Sequence, residues 1–519
     1  MTKLQEAKIA RDGKLNKIEL IKQTKKSLEF FESFEEFCKG KLEDVSDDEK
    51  NFFLKCFGIF HKDDDTFMLR VRIPAGQLTF FQAIEIGKIA SRHGEDYIDI
   101  TTRQQIELRY LKFNDLYEVI QKLQNVGITT FQTGIDNFRN IVTSSFDGLG
   151  EQRVIECKPF INEMQEIFLN EEEWLGTLPR KFNTAILGTF VNDCNIYGHD
   201  CCFIVAKKGE KLGFNLYLGG KVGVQASDSG IFVMQKDVIT VYKAIINLFK
   251  EFGFRDNRNK NRLHFLLEAV GMEEFVKAIK IYSGLEFEDA GEIVAKEEFL
   301  LDKEGVLDLG NGLIAYNFSI PSGIFSGEAM MEAGKLAELV QGQIRLSVEQ
   351  SFYIVCKKEH KEILQKSQLS QKYASYQNPF FRNMIACAGI KTCSFGVIDT
   401  KGIAIETSNL LTKAFPNLEG KIKLYWSGCP KGCGIHGVGD IGFEGCKTKD
   451  EDGNRCDGVH IFVGGKSTNY AKEGEIYKKS VPINQLIATL SPLLENYQTY
   501  KLVGESFENF YERCGAGSK

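Results

Sequence analysis

From Thr66 the chain alternates apolar and polar residues over Thr66-Phe-Met-Leu-Arg70-Val-Arg72-Ile, which predicts a strand ended by Pro74-Ala-Gly76. Thr79 with Gln82 three residues on predicts a capped helix. Phe80, Ala83, Ile84 and Gly87 then fall on one helical face. Tyr97-Ile-Asp-Ile-Thr and Glu107-Leu-Arg109-Tyr-Leu read as strands. A second helix is predicted from Asp115, striped by Leu116, Val119, Ile120 and Leu123 and stopped at Gly127. Ahead of these elements, residues 1–62 are rich in Lys and Glu, with Leu20, Ile21, Leu28 and Phe31 at helical spacing. They predict a helical extension whose charges are a solvated face or contacts to a partner.

The order β-α-β-β-α is the start of a ferredoxin-like split unit, and it recurs. Arg72-Ile-Pro74-Ala-Gly76 returns as Ser319-Ile-Pro321-Ser-Gly323, and Ile100-Thr-Thr-Arg103-Gln104 as Leu346-Ser-Val-Glu349-Gln350. Phe138-Arg139-Asn140 returns as Phe381-Arg382-Asn383, and Tyr217-Leu-Gly219-Gly220-Lys221 as Phe462-Val-Gly464-Gly465-Lys466. The chain is therefore read as a duplicated α+β fold, with two ferredoxin-like half-repeats and two larger mixed domains in a pseudo-twofold arrangement. The expected divisions are the extension at 1–62, half-repeats at 63–130 and 301–370, and larger domains at 131–300 and 371–519. A cofactor is expected between the halves.

Composition sets outer bounds. The 519 residues are 43% hydrophobic and 26% charged, as in a globular chain with ample core. Net charge is −6, which gives no footing for nucleic acid or an anionic membrane. No apolar run reaches membrane-span length, and Met1-Thr-Lys-Leu-Gln-Glu lacks a signal-peptide core, so a cytoplasmic location and a monomer are expected. In that compartment the 14 cysteines are thiols or metal ligands rather than disulfides. Cys194, Cys201 and Cys202, and Cys446 and Cys456, read as core or surface thiols.

Four other cysteines change the picture. Cys387 and Cys393 are separated by five residues, Cys429 and Cys433 by three, and 35 lie between the pairs. Two short thiol loops drawn from distant parts of a chain suit an iron–sulfur centre, and glycines 428, 432 and 434 leave room for one. Inert thiols and a zinc site are the alternatives, though zinc favours shorter pairs. In the first half, Phe138-Arg139-Asn140 runs into Thr143-Ser144-Ser145 and carries no cysteine.

The C-x5-C and C-x3-C pairs resemble those of the sirohaem-dependent nitrite and sulfite reductases, and the resemblance spans roughly residues 50 to 505. It implies a 4Fe–4S cluster held by Cys387, Cys393, Cys429 and Cys433, with Cys433 also bridging to the sirohaem iron. It also gives a meaning to cations that singly would read as surface charge. Arg70, Arg139, Lys181 and Asn183 match the substrate-binding set. Arg103 and Arg109 match positions that help hold the sirohaem carboxylates, and Arg180 stands beside them in Pro179-Arg180-Lys181-Phe182-Asn183. Two residues depart from the family pattern. Ala75 stands where glycine or asparagine is frequent, and Lys431 where asparagine is usual.

Asn183 bears on the substrate. Sulfite-type members carry lysine there and nitrite-type members asparagine, and the less charged nitrite needs less positive charge. The resemblance thus implies six-electron reduction of nitrite to ammonia, with sulfite reduction second. A non-catalytic electron-transfer protein is the reading of another class. No flavin or nicotinamide fingerprint is present, so electrons are expected from reduced ferredoxin or a separate flavoprotein. Lys391, Lys421, Lys423 and Lys431 are candidates to attract an acidic ferredoxin.

Overall fold

The computed structural model describes residues 2–11, 13–61, 65–295, 305–468 and 471–515. They form two units. One comprises Met1–Asp99, Arg103–Glu297 and Ser326–Gly334, the other Ile100–Thr102, Glu298–Phe325 and Lys335–Lys519.

In the first unit, short helices precede the sheet, among them α1 (Lys17–Ile21). Then follow β1 (Ile59–His61), β2 (Thr66–Val71), α2 (Phe80–His93), β3 (Tyr97–Ile100), β4 (Ile106–Lys112) and α3 (Leu116–Asn125). The strands lie in the order β1-β2-β4-β3, with β1-β2 and β2-β4 antiparallel. The predicted cap of α2 is present. The Thr79 hydroxyl accepts from the Gln82 N–H, and the Gln82 side chain accepts from the Thr79 N–H. All four stripe residues of α3 are buried. On α2 the buried face is Ala83, Ile86, Gly87, Ile89 and Ala90, while Phe80 is exposed. Gly87 sets that face. A Cβ there would lie 2.5 Å from the Gly327 carbonyl oxygen, so only backbone fits between the two segments.

A second sheet in this unit carries β5 (Thr184–Leu187), β6 (Cys201–Lys208), β7 (Lys211–Leu218) and β8 (Ser227–Met234), covered by α4 (Val238–Phe252). β5 runs parallel to β6, and the next two pairs are antiparallel.

The second unit repeats this plan. β9 (Val306–Gly310), β10 (Leu313–Phe318), β11 (Gln343–Leu346) and β12 (Phe352–Lys357) lie in the order β9-β10-β12-β11. β13 (Met384–Ala386), α5 (Thr400–Ala414), β14 (Leu424–Ser427), β15 (Ile441–Lys449), β16 (Arg455–Val463), β17 (Glu475–Pro482) and α6 (Leu486–Tyr500) follow. β13, β14 and β15 are mutually parallel. Trp426 on β14 stacks on Phe443 at 3.7 Å in a core completed by Ala404, Leu411, Leu490 and Leu494.

The duplication extends to backbone detail. Ala75 and Ser322, each inside a Pro-x-Gly turn, have φ of 60° and 52°. Glycine and asparagine adopt that left-handed conformation more readily than alanine or serine. Gln104 and Gln350 are left-handed too, at 52° and 57°.

Candidate active site

The cationic wall belongs to the first unit and is built from two segments zipped together. Phe138 bridges Phe182 in parallel register. The Arg139 N–H donates to the Phe182 carbonyl at 2.8 Å, and the Phe182 N–H to the Asn137 carbonyl at 3.1 Å. Phe138 is buried, stacked on Phe168 at 4.0 Å, so its neighbours Asn137 and Arg139 are turned the other way. Beneath the joint lies Arg72, 1% exposed. Its guanidinium donates to the carbonyls of Phe131, Gln132, Phe138 and Arg139 at 2.8 to 3.4 Å.

Arg139 is itself buried. One of its terminal nitrogens donates to the Ile135 carbonyl at 3.1 Å, and the other has no partner. Burial, then the charges of Arg70, Arg103 and Arg180, push its guanidinium well below the ordinary arginine range. Asn183 is held through its N–H, which donates to Asp200 at 2.8 Å, and its side-chain oxygen is buried without a partner. Lys181 is half-buried one residue before Phe182. Arg180, pushed down to about 10 by burial and by Arg258, donates to the Arg258 carbonyl. Arg103 is half-buried, and its carbonyl accepts from Asn140 at 3.0 Å. Positive charges gathered around an unpartnered, buried guanidinium N–H favour a small anion there.

Two of the predicted arginines are engaged inside the sheet. Arg70 donates twice to Glu107, at 2.8 and 3.0 Å, and once to the Thr133 carbonyl. Arg109 is buried between Asp99 and Glu107, with the Glu107 contact at 2.6 Å. Glu107 therefore joins the two, and Arg109 stands one step behind Arg70.

The cysteine loops belong to the second unit. They leave the same ends of two parallel strands, which is what brings distant cysteines together. Ala386 lies opposite Trp426, and the Cys387 N–H donates to the Trp426 carbonyl at 3.0 Å. The Cys387 sulfur accepts from the Gly428 N–H at 3.0 Å. Gly434 permits the return of the second loop, since a Cβ there would sit 1.8 Å from the Trp426 oxygen. Charge on Cys433 acts on both Cys387 and Cys429, and charge on Cys393 acts on Cys429. Among the described residues, no three His, Cys, Asp or Glu side chains are disposed to hold a single metal ion. The amide donor to the Cys387 sulfur suits a thiolate ligand. Cys433 is the exposed one of the four.

Seven of the other ten thiols are segregated from these in the interior. Cys38, Cys56, Cys157, Cys194, Cys201, Cys202 and Cys356 are all buried. Burial pushes Cys38 and Cys56 up to about 12, and Cys194, Cys201 and Cys202 well above the usual range.

Gln350, 4% exposed, holds the first loop at its root. Its carbonyl oxygen accepts from the Ala386 N–H at 2.7 Å, and its amide donates to the Ile100 carbonyl at 3.0 Å. Gln104 makes the equivalent clamp on Thr143 in the first unit. Replacing Gln350 with leucine should strand a buried N–H at a cost of about 1–3 kcal/mol and lower iron and acid-labile sulfide per chain. Unchanged metal content in folded Gln350→Leu would show that the clamp does not serve the loop.

Arg72, Gln350 and the carboxylates Glu107 and Asp200 escape a reading of the sequence that looks for loop cations. Alternation continuing one residue beyond β2 is the available signal for Arg72, since it places Arg70 and Arg72 on one face and Val71 on the other. Of the lysines proposed near the cysteines, Lys423 is not a surface charge. It is buried and paired with Glu508 at 2.5 Å, because it opens β14 inside the core. Lys391 and Lys431 are exposed, Lys431 over the Phe395 ring at 2.9 Å.

Comparison with known proteins places this arrangement. A model of the nitrite and sulphite reductase 4Fe-4S domain matches residues 134–287 and 378–516. A model of the nitrite/sulfite reductase ferredoxin-like half domain matches 59–126. The chain is 31% identical to the chloroplastic ferredoxin–nitrite reductase of Spinacia oleracea, over 89% of this chain and 80% of that one. It is 32% identical to ferredoxin–nitrite reductase of Synechococcus elongatus, over 93% and 96%. The fold matches the structure of the Mycobacterium tuberculosis NirA protein with a TM-score of 0.89, at 23% identity and over 97% of both chains. An iron–sulfur cluster is accordingly the metal group of this architecture, and the chain belongs to the nitrite and sulphite reductase family.

Proposed function

We propose that the protein reduces nitrite to ammonia at a sirohaem coupled to a 4Fe–4S cluster, with ferredoxin as donor. The observation that carries this reading is Arg139, whose buried N–H lacks a partner amid Arg70, Arg103 and Arg180 while Asn183 occupies the neighbouring segment. Ferredoxin–nitrite reductases matched over 80 to 96% of their length support it. When bound, the sirohaem and the cluster supply an iron site for nitrite and its electrons. Cys387, Cys393, Cys429 and Cys433 would hold the cluster, and Cys433 is the exposed one of the four. Arg103 is suited to the haem carboxylates. Arg109 acts by holding Glu107 and thus Arg70.

The chain's own part in the chemistry is to bind and to protonate. Arg139 and Arg70 bind the anion's oxygens, and Asn183 orients it without adding a charge. Lys181 is the proton carrier, because an ammonium releases a proton more readily than a guanidinium. Exposed Lys391 and Lys431 flank the cysteine loops and suit an acidic donor. Among the described residues no helix is long and apolar enough to cross a membrane.

Anaerobic protein with a reduced viologen dye should yield ammonium from nitrite with a higher kcat/KM than sulfide from sulfite. Asn183→Lys should shift that ratio towards sulfite. Dominant sulfide from the unaltered protein would overturn the substrate assignment.

A further inference from the structure

Asp136, three residues ahead of Arg139, is fully buried. Cations surround it. Arg258 grips both of its oxygens at 2.8 Å, Lys22 approaches to 3.0 Å and Arg180 to 3.9 Å. Burial would raise its carboxyl, but Lys22 first, then Arg258 and Arg180, hold it below the usual range.

Lys22 comes from the N-terminal extension, directly after α1. Its ammonium makes two bonds that matter to the site. One is to Asp136, which heads the Asn137-Phe138-Arg139 segment. The other, at 2.7 Å, is to the Leu178 carbonyl, which heads the segment carrying Arg180, Lys181 and Asn183. The extension holds this ammonium in place. Glu19 on α1 pairs with Lys22 at 2.5 Å and with Arg255 at 2.7 Å, and Arg255 donates to the Thr177 carbonyl. Asn16 donates to the Arg255 carbonyl at 2.6 Å.

We infer that Lys22 is a positioning residue for the anion site. A single ammonium ties together the roots of both cationic segments, and by answering Asp136 it leaves Arg139 to the anion. The charged face of the extension thus has a task inside the protein. Without Lys22, Asp136 carries a negative charge that Arg258 alone must answer at close range. It would compete with nitrite for Arg139, which feels its charge already. The effect falls on binding of an anion rather than on the reaction, so it belongs in affinity and KM.

The inference rests on the nitrite reading, and the test separates the two. Nitrite binding to the purified holoenzyme is followed by optical titration of the haem, with carbon monoxide as an uncharged ligand for comparison. Lys22→Met should weaken nitrite about ten-fold and raise its KM similarly, with kcat and carbon monoxide affinity within about two-fold of the unaltered protein. Lys22→Arg should restore nitrite binding, since it keeps the charge and can reach both acceptors. Lys22→Gln keeps a donor for Leu178 but no charge for Asp136. It should show the same weakening, and it serves in place of Lys22→Met if that variant does not fold. Glu19→Gln removes a charge from the extension but keeps an oxygen that accepts from the ammonium, so Lys22 stays on Asp136 and nitrite affinity should hold. Unchanged nitrite affinity in both Lys22→Met and Lys22→Gln overturns the inference and leaves the functional reading standing. Equal weakening of nitrite and carbon monoxide, or weakening in Glu19→Gln as large as in Lys22→Met, also overturns it. Failure of the unaltered holoenzyme to bind nitrite overturns both.

Discussion

Arg72→Met should destabilise the protein by about 3–5 kcal/mol and abolish nitrite binding in whatever fraction folds. The side chain is buried, and its N–H groups satisfy four carbonyls from two stretches, 131–132 and 138–139. Methionine fills the space but gives none of them a donor. Each carbonyl then loses a hydrogen bond in a place water does not reach. The loss has a position as well as a size, because Arg139 is one of the four residues held. Arg72→Lys keeps the charge, but an ammonium has three donors around a point and cannot span the fork, so rescue should be partial. Denaturant unfolding measures the first effect and nitrite titration the second. A stability loss with nitrite affinity intact would confine Arg72 to the core.

Cys429→Ser should bring iron and acid-labile sulfide close to zero and nitrite turnover to background, with the chain still folded. Serine is nearly the same size, so the packing of β14 and its loop survives. A hydroxyl does not supply the thiolate that iron–sulfur ligation requires. Cys387→Ser should act alike, with the hydroxyl taking the place of the sulfur that now accepts from the Gly428 N–H. Cys446→Ser and Cys456→Ser, on the β15–β16 hairpin, are the controls and should keep full metal content. Full metal content in Cys429→Ser would remove the quartet from the cluster.

Local chemistry in the sequence carried much of this fold. The Thr79–Gln82 cap, the buried stripe of α3 and the recurrence of the Pro-x-Gly turns are each written within a few residues, and each stands in the structure. The cysteine loops were legible for the same reason. What the sequence leaves hidden is pairing over distance. Lys22 meets Asp136 and Glu19 meets Arg255 across more than a hundred residues, and no periodicity announces either pair. Arg109 shows the converse. In the chain it looks like any cation near a strand end, and only the sheet sets Asp99 and Glu107 beside it. Lys423 looks like its exposed neighbours until the core closes over it.

The segregation of thiols bears on how the protein matures. A new chain must receive iron and sulfide while it carries 14 cysteines. Seven of them are interior, and burial raises the thiols of all seven above the usual range. If the body folds before the metal arrives, those seven cannot compete as acceptors. The quartet stays half-buried or open at strand ends, within reach of a delivery protein. Folding order then acts as a proofreading step for metallation. Iron offered to a partly unfolded chain would be captured at the wrong sulfurs, so cluster loading should be cleanest when reconstitution starts from folded apoprotein.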